Sequence, residues 1–305
     1  MNMRITFLGT SGGVPSVSRS LPAISVSFAG ELLLFDCGES TQRQMMKAGV
    51  GFKSKMRIFL THIHGDHSLG IPGLIYTLSM LGRREPLEIF GPRGTREYIE
   101  KILDLRVGAI NFEVEAVEVG EGVVYESRDY MVEATLSEHT IPTLTYMLRE
   151  RDRPGKMNVS YLESIGLPRG PLWGSLQRGE TVEWKGRRIT PEEAVGPPRP
   201  GRRIVYTGDT RPSERIAVFA KDADVLIHDA TFGSEFEREA AEQGHSTATQ
   251  AARIARQANV RRLYLFHISP RYEGKEEQLL REAREIFPET YLPRDLEVYE
   301  VPYID

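Results

Sequence analysis

The stretch LTHIHGDHSLG, residues 60–70, places three histidines and one aspartate within six positions of a chain that has only seven histidines in 305 residues. It follows the run KMRIF, which predicts a strand leading into a loop. Residues two apart in an extended segment project the same way, so His62 and His64 can bind one metal ion while Asp66 and His67 reach a second. A histidine-rich surface loop or an anion-binding helix start is the alternative interpretation.

Three further candidate ligands stand where other strand-like runs stop. His139 follows YMVEATLSE, Asp209 ends RIVYTGD, and His267 ends RLYLFH. Layered α/β domains gather functional residues where strands end and loops begin, and a site for two metals needs a carboxylate between the ions. Taken singly, the three residues are also compatible with a loop histidine, a turn or helix-capping aspartate, and a histidine at the edge of the core. Together they predict a dinuclear metal site.

Composition limits the metal and the setting. Cys37 is the single cysteine, which excludes a disulfide within the chain and a cysteine-rich zinc site. Histidine and carboxylate ligands suit zinc and are also compatible with manganese, cobalt or iron. No apolar run reaches about 18 residues and no secretion signal is present, so we expect a soluble, cytoplasmic protein. A formal net charge of −4 gives no overall basic field, so any nucleic-acid binding must come from local patches.

Strand-like and helix-like runs alternate in both halves of the chain. Strands are predicted at residues 4–9, 23–28 and 31–36, and a helix capped by Ser40 and ended at Gly49 follows. The second half repeats the rhythm: RIVYTGDT, ADVLIHDATF and RLYLFHISP predict strands, and STATQAARIARQANV and KEEQLLREAREIF predict helices. This alternation predicts an α/β layered domain that spans residues 1–305.

Residues 151–200 interrupt this rhythm. The interval contains RPGKMN, GLPRGPLWG and most of VGPPRPGRR, and glycine, proline and arginine dominate it. A long segment without clear secondary structure inside a compact domain is usually functional or disordered. We interpret residues 151–200 as an arm inserted within the single domain.

The HxHxDH pattern of His62, His64, Asp66 and His67, followed in order by His139, Asp209 and His267, resembles the signature of the metallo-β-lactamase superfamily. The resemblance implies an αββα sandwich with the metals at one edge of the sheets. It further implies that His62, His64 and His139 hold one ion, that Asp66, His67 and His267 hold the other, and that Asp209 bridges them. Asp36, which ends LLFD, matches the superfamily's first motif and would orient a ligand.

A narrower resemblance covers essentially the whole chain. The segments FLGTSGGVPS, GESTQRQ, TGDTRP, HDATF, GHSTA and FHISPRY, together with the Gly/Pro-rich arm, are similar to the short form of the ribonuclease Z family, the tRNA 3′-processing endonucleases. The family implies two zinc ions per subunit and hydrolysis that removes the 3′ trailer of precursor tRNA, leaving a 3′-hydroxyl on the tRNA and a 5′-phosphate on the trailer.

The resemblance also implies roles for individual residues. Asp66, a ligand that faces the nucleophile, corresponds to the family's general base. His245 of GHSTA is not used by the ligand set and stands near the start of a predicted helix, so we assign it as the general acid that protonates the leaving ribose oxygen; a helix-capping histidine is the alternative. His228 of HDATF is expected to orient a ligand, like Asp36.

The arm is the expected RNA-binding element. Arg153, Lys156 and Arg169 lie between glycines and prolines with Tyr161 and Trp173 nearby, a composition suited to holding an RNA backbone by its shape. A solvent-exposed loop without a function is the alternative. We expect a further RNA contact from Arg271 of FHISPRY. Family members act as homodimers on precursor tRNA, which implies a homodimer here.

Two other functions are compatible with parts of the sequence. A dinuclear hydrolase of small esters, such as a phosphodiesterase, lactonase or arylsulfatase-like enzyme, would share the ligands but would not need the arm. A non-catalytic RNA-binding protein on the same fold would normally have lost ligands, whereas all seven are present.

Overall fold

The computed structural model describes residues 2–52, 55–105 and 108–303, and the predicted domain of residues 1–305 extends beyond these ranges. The chain forms two compact units: residues 1–149 with 203–303, and residues 150–202. No helix in the described ranges is long and apolar enough to cross a membrane.

Two seven-stranded sheets form the centre of the first unit. The strands of one sheet are β1 (Met3–Gly9), β2 (Ala23–Phe28), β3 (Glu31–Phe35), β4 (Met56–Phe59), β5 (Leu87–Gly91), β6 (Val114–Glu118) and β16 (Val298–Val301), in the order β16-β1-β2-β3-β4-β5-β6. The strands of the other are β7 (Gly122–Glu126), β8 (Tyr130–Leu136), β9 (Leu144–Glu150), β12 (Arg203–Tyr206), β13 (Val225–Asp229), β14 (Leu263–Phe266) and β15 (Thr290–Tyr291), in the order β15-β14-β13-β12-β9-β8-β7. The strands predicted from the sequence are confirmed to within a few residues at their ends.

Helices cover the outer face of each sheet. The helices of this unit are α1 (Thr41–Ala48), α2 (Gly65–Ser68), α3 (Ile71–Met80), α4 (Thr95–Asp104), α8 (Glu214–Phe219), α9 (Glu237–Gln243), α10 (Ala248–Gln257) and α11 (Glu277–Arg284). One apolar core joins α1, α3 and α4 to the first sheet, and another joins α8, α10 and α11 to the second. The predicted αββα sandwich is therefore confirmed.

The core between the sheets follows from strand alternation, because successive side chains of a strand point to opposite faces. In β3, Leu32 and Leu34 pack against the helices, whereas Leu33 and Phe35 pack against the opposite sheet. A strand with both faces buried reads as a continuous apolar run, which is why ELLLF lacks polar residues inside it.

The first predicted helix begins and ends where expected, but Ser40 does not cap it through its side chain. Ser40 has a φ of 71°, a left-handed conformation, and its hydroxyl makes no capping hydrogen bond. Gly49 ends the helix at a φ of 66°, as the sequence predicts. The N-cap prediction is thus correct in position and wrong in mechanism.

Residues 150–202 contain regular structure, so the prediction of a segment without it is wrong. The elements are α5 (Val159–Ser164), α6 (Pro171–Gln177), the hairpin of β10 (Val182–Trp184) and β11 (Arg187–Ile189), and α7 (Pro191–Ala194). Leu162, Leu176 and Ile189 are buried in a small core of their own. The prolines of this segment include Pro171 and Pro191, which stand in the first turns of helices, where a missing N–H costs nothing.

Candidate metal centre

One edge of the sandwich collects the ends of five strands. Asp36 follows β3, the HxHxDH segment follows β4, and Asp209 follows β12. Asp229 ends β13, and His267 follows β14 directly. Within each sheet these strands run parallel, β3 with β4 and β12 with β13 and β14, so their carboxyl ends meet at a common edge. The fold therefore brings together side chains that are up to about 230 residues apart in sequence.

Four side chains form a first group of donor atoms: His62, His64, His139 and Asp209. The Nδ1 atom of His64 lies 3.1 Å from His62 Nε2 and 3.2 Å from His139 Nε2. Asp209 Oδ2 lies 3.6 Å from His62 Nε2 and 3.8 Å from His139 Nε2. Ligand atoms about 2.0–2.1 Å from a tetrahedral zinc ion are about 3.3 Å apart, so this spacing fits one ion.

A second group consists of Asp66, His67, Asp209 and His267. Asp209 Oδ1 lies 3.1 Å from His67 Nε2 and 3.3 Å from His267 Nε2. Asp66 Oδ2 lies 3.2 Å from His267 Nε2 and 3.6 Å from His67 Nε2. Asp209 thus presents one carboxylate oxygen to each group, and the seven residues predicted as ligands lie in these two groups.

Unpartnered atoms indicate that the cluster suits cations. His67 Nε2 and Asp209 Oδ1 are both buried, and neither has a hydrogen-bond partner of good geometry although they lie close together. Buried polar atoms are normally satisfied, so such a pair needs a further partner. Nitrogen and carboxylate donors without thiolate fit zinc and its neighbours in the transition series.

Asp36 orients the side chain of His67, one of the candidate ligands, through hydrogen bonds. Its Oδ2 accepts hydrogen bonds from His67 Nδ1 at 2.7 Å and from the Tyr206 hydroxyl at 2.7 Å. Its Oδ1 accepts the main-chain N–H of Thr61 at 2.7 Å. Because Nδ1 of His67 donates to Asp36, Nε2 is the nitrogen that faces the second group and can exchange its proton for a metal ion. Asp36 and His267 also adopt left-handed backbone conformations, with φ of 56° and 61°, the kind of strain that collects at functional sites.

Opposite charges in the cluster stabilise the ionised forms of its histidine and aspartate side chains. Burial alone would lower the pKa of His67, yet the Asp209 and Asp36 carboxylates raise it well above its usual range. Burial would raise the pKa of Asp209, but His267 and His67 hold it well below its usual range. Burial similarly opposes ionisation of Asp66, and its hydrogen bond with His267 lowers the pKa of that carboxyl. Both carboxylates are therefore ionised at neutral pH and attract cations.

His245 lies beside the second group and forms a pair with Asp229. Its Nδ1 donates to Asp229 Oδ2 at 2.8 Å, and its ring stacks on His267 with centroids 5.1 Å apart. Asp229 Oδ1 also accepts from Thr231, whose hydroxyl lies 2.8 Å from His267 Nδ1. Asp229 is not among the site residues predicted from the sequence. It ends a strand, as Asp36 follows the end of one, and this position at the edge of the sheet indicates a functional residue.

Two predicted residues lie elsewhere. His228 precedes Asp229 in β13, so its side chain points to the other face of the sheet; its Nδ1 donates to the Asp229 carbonyl at 2.8 Å and its Nε2 has no hydrogen-bond partner among the described residues. The structure therefore does not bring His228 to a candidate ligand. Arg271 pairs with Glu239 at 2.7 Å and stacks over Phe232 and Phe236, which occupies its guanidinium with protein contacts.

The family models agree with this architecture. Residues 174–268 match the model described as Beta-lactamase superfamily domain, and residues 3–140 match the model described as Anti-Pycsar protein Apyc1. The sandwich and the cluster at its edge define a protein of the metallo-β-lactamase fold.

Full-length relatives narrow the class. Ribonuclease Z of Methanosarcina mazei is 48% identical over 301 residues and that of Methanosarcina acetivorans is 46% identical over 301 residues, each alignment covering 99% of both chains. The crystal structure of human tRNase Z, short form (ELAC1), is similar with a TM-score of 0.71 and 27% identity, over 99% of this chain and 100% of that one. The chain belongs to the ribonuclease Z family, and it is an endoribonuclease. The family predicted from the sequence is confirmed.

Removing a donor from the cluster should remove metal. His62→Ala should lower the metal bound in the first group, and Asp209→Ala should lower it in both groups because Asp209 presents an oxygen to each. Elemental analysis of the purified proteins by mass spectrometry measures this directly. His228→Ala is the control, since His228 points away from the cluster. Wild-type protein that is active and contains no transition metal would contradict the assignment.

Proposed function

We propose that this endoribonuclease is a zinc enzyme that removes the 3′ trailer from precursor tRNA, leaving a 3′-hydroxyl on the tRNA and a 5′-phosphate on the trailer. The observation that carries the proposal is the complete donor set, His62, His64, Asp66, His67, His139, Asp209 and His267, in a chain that aligns end to end with ribonucleases Z. A non-catalytic RNA-binding homologue would not need to keep all seven. A cytoplasmic location remains a prediction.

The seven residues would hold two zinc ions, which supply an activated water and neutralise charge on the phosphodiester. Asp66 is placed to accept the proton of the attacking water, since it stays ionised and its Oδ2 is fixed by the main-chain N–H of Gly13 at 2.9 Å. Asp209 keeps both groups of ligands at a fixed separation. Asp36 holds His67 in the tautomer that leaves Nε2 free to act as a ligand.

His245 supplies the proton for the leaving ribose oxygen in this proposal. Its Nδ1 is occupied by Asp229, which leaves Nε2 for the substrate. Burial lowers the pKa of His245, but the Asp229 carboxylate outweighs burial and raises that pKa to about 9. Such a histidine carries its proton at neutral pH and can donate it as the P–O3′ bond breaks.

A cleavage assay on precursor tRNA tests the proposed function. Purified protein should cleave it once, at the junction of tRNA and trailer, and a chelator should stop the reaction, which zinc should then restore. End mapping checks the products: the tRNA fragment should accept ligation at a 3′-hydroxyl, and the trailer should carry a 5′-phosphate. Hydrolysis of small esters without cleavage of precursor tRNA would favour the small-ester hydrolase instead.

The acid role predicts separate effects on rate and on metal content. His245→Ala should keep both metals and slow single-turnover cleavage by roughly 10²- to 10⁴-fold. Asp229→Asn should lower the pKa of His245, so cleavage should decline at a lower pH than in wild type as His245 loses its proton. Rates measured across pH, with metal content of each variant, check both. Metal loss in His245→Ala would make His245 a ligand, and an unmoved alkaline limb in Asp229→Asn would remove Asp229 from the mechanism.

We propose that the arm, residues 151–200, binds the tRNA and takes no part in the chemical step. It carries nine basic and six acidic residues in a chain of net charge −4 and contains both tryptophans of the chain. Arg169 lies over the Trp173 ring and Arg187 over the Tyr161 ring, each at 5.6 Å. Lys156 and Arg169 are exposed and Arg153 is half-buried. Exposed cations beside aromatic rings suit an RNA backbone with unstacked or edge-exposed bases.

Replacing the arm cations should separate two activities. The triple variant Arg153→Ala, Lys156→Ala, Arg169→Ala should weaken processing of precursor tRNA and leave hydrolysis of bis(p-nitrophenyl) phosphate unchanged, because no candidate ligand belongs to the arm. The salt dependence of RNA binding should flatten by about 0.7–0.9 in log–log slope per lost phosphate contact. Equal loss on both substrates would show that the arm supports the fold or dimer, and an unchanged RNA affinity would refute the proposed contact.

We also propose a homodimer that uses an exposed apolar face of α3. Tyr76 and Met80 lie one turn apart on α3 and are both exposed, as are Leu69, just before this helix, and Met46 of the neighbouring α1. Contiguous exposed apolar surface marks protein interaction sites more often than it marks a free surface. A second copy of the chain, as in the family, is the occupant that we propose.

Charge on this face should block self-association. Tyr76→Glu with Met80→Glu should shift the protein from dimer to monomer in sedimentation velocity, since burying two carboxylates against an apolar partner is unfavourable. Val298→Glu, a change at another exposed apolar position (48% exposed), is the control and should remain a dimer. A monomeric wild-type protein would overturn the proposal, and so would a double variant that stays dimeric.

A further inference from the structure

Thr231 stands beside a candidate ligand because of how two neighbouring strands are paired. β13 and β14 run parallel, with Asp229 opposite Phe266. The Ala230 N–H donates to the Phe266 carbonyl at 2.9 Å and continues the pairing past the end of β13. Thr231 and His267, the residues that come next along the two segments, therefore lie side by side at the edge of the sheet. Thr231 is buried there, with 6% of its surface exposed.

The hydroxyl of Thr231 lies between a carboxylate and an imidazole. Its Oγ1 donates to Asp229 Oδ1 at 2.7 Å and lies 2.8 Å from His267 Nδ1. A carboxylate only accepts hydrogen bonds and a hydroxyl has one proton, so the Thr231 proton is used on Asp229. The hydroxyl must then accept a hydrogen bond from His267, which places a proton on Nδ1 of that ring.

The proton on Nδ1 decides which nitrogen of His267 can bind metal. Nε2 is then the nitrogen that can exchange its proton for a metal ion, and it faces Asp66 Oδ2 at 3.2 Å and Asp209 Oδ1 at 3.3 Å. The main chain of Gly12 packs against the opposite edge of the ring so closely that a Cβ atom there would overlap Nδ1. The hydroxyl and this glycine together hold the ring in one orientation.

The same hydroxyl also lies near the proposed acid, but the acid does not depend on it. Thr231 Oγ1 is 3.3 Å from His245 Nδ1, whereas Asp229 Oδ2 is only 2.8 Å from that nitrogen, so His245 donates to the carboxylate. The main-chain N–H of Thr231 donates to Asp229 Oδ1 at 3.0 Å and does not involve the side chain. Without the hydroxyl, His245 keeps its partner and His267 loses its own.

We propose that Thr231 is a positioning residue for the second group of ligands: its hydroxyl fixes the orientation and the tautomer of His267, so that Nε2 points to the metal. This rests on the proposed function, which supplies zinc as the metal. Thr231 acts through His267 and does not reach the reacting atoms. Hydrogen-bond partners of ligating histidines commonly change metal affinity by about 10- to 100-fold.

Zinc affinity tests this role. Thr231→Val keeps the shape of the side chain and removes the hydroxyl, so it should weaken binding of one of the two zinc ions by about 10- to 100-fold in competition with a chromophoric chelator. Thr231→Ser keeps the hydroxyl and should bind both ions like wild type. Thr135→Val is the matched control, because Thr135 is also 6% exposed and its hydroxyl donates at 2.9 Å to Glu121, a carboxylate outside the cluster.

Added zinc separates a role on His267 from a role on His245. At limiting zinc, Thr231→Val should have a lower kcat on precursor tRNA with an unchanged KM, and excess zinc should restore kcat because it refills the weakened site. A missing acid cannot be replaced in this way. If Thr231→Val binds zinc like wild type and is still slow, the residue acts on His245 and the proposal is wrong. If Thr231→Ser loses zinc as Thr231→Val does, the hydroxyl is not the cause and the proposal is also wrong.

The zinc and cleavage measurements distinguish failure of this role from failure of the proposed function. If Thr231→Val loses one zinc ion but wild type does not cleave precursor tRNA, the positioning role stands and the proposed function fails. If wild type cleaves precursor tRNA and Thr231→Val keeps both zinc ions and its kcat, the positioning role is refuted and the proposed function stands.

Discussion

The buried carboxylate of Asp209 is the interaction on which the site depends. It lies between two sets of imidazoles and gives one oxygen to each, at 3.1–3.3 Å on one side and 3.6–3.8 Å on the other. A carboxylate in this position loses its hydration, and it stays ionised only because positive charge surrounds it. Protonated histidines can supply that charge, and so can two cations, which would also satisfy the unpartnered atoms of Asp209 and His67.

The sandwich holds Asp209 in place through its inner core. Tyr206, three residues before Asp209, is buried between the sheets and donates its hydroxyl to Asp36, which in turn orients His67. Tyr146 donates to the carbonyl of Leu60, just before the HxHxDH segment. Hydrogen bonds from core tyrosines of one sheet therefore fix the loop ends of the other, so the geometry of the cluster is set by packing that is remote from the substrate.

The sequence allowed much of this to be predicted because histidine is rare in the chain and strand ends are visible as apolar runs that stop at polar residues. In HDATF the sequence predicts that His228 orients a ligand, whereas strand alternation turns His228 away from the ligands and brings Asp229 to His245. The alternation of β13 could have decided this. The helices and strands of the arm could not be predicted from the sequence. They are short, with glycines and prolines at their ends, and their core of Leu162, Leu176 and Ile189 is too small to give a periodic apolar pattern.

Anomalous diffraction from crystals of the purified protein, recorded on both sides of the zinc absorption edge, would locate the metal ions directly. A dinuclear site held by the seven ligands predicts two zinc peaks about 3.5–4 Å apart, one within each group of donors, with the Asp209 carboxylate between them. A single peak, or a peak held by Asp229 and His245 in place of one of the two groups, would contradict it.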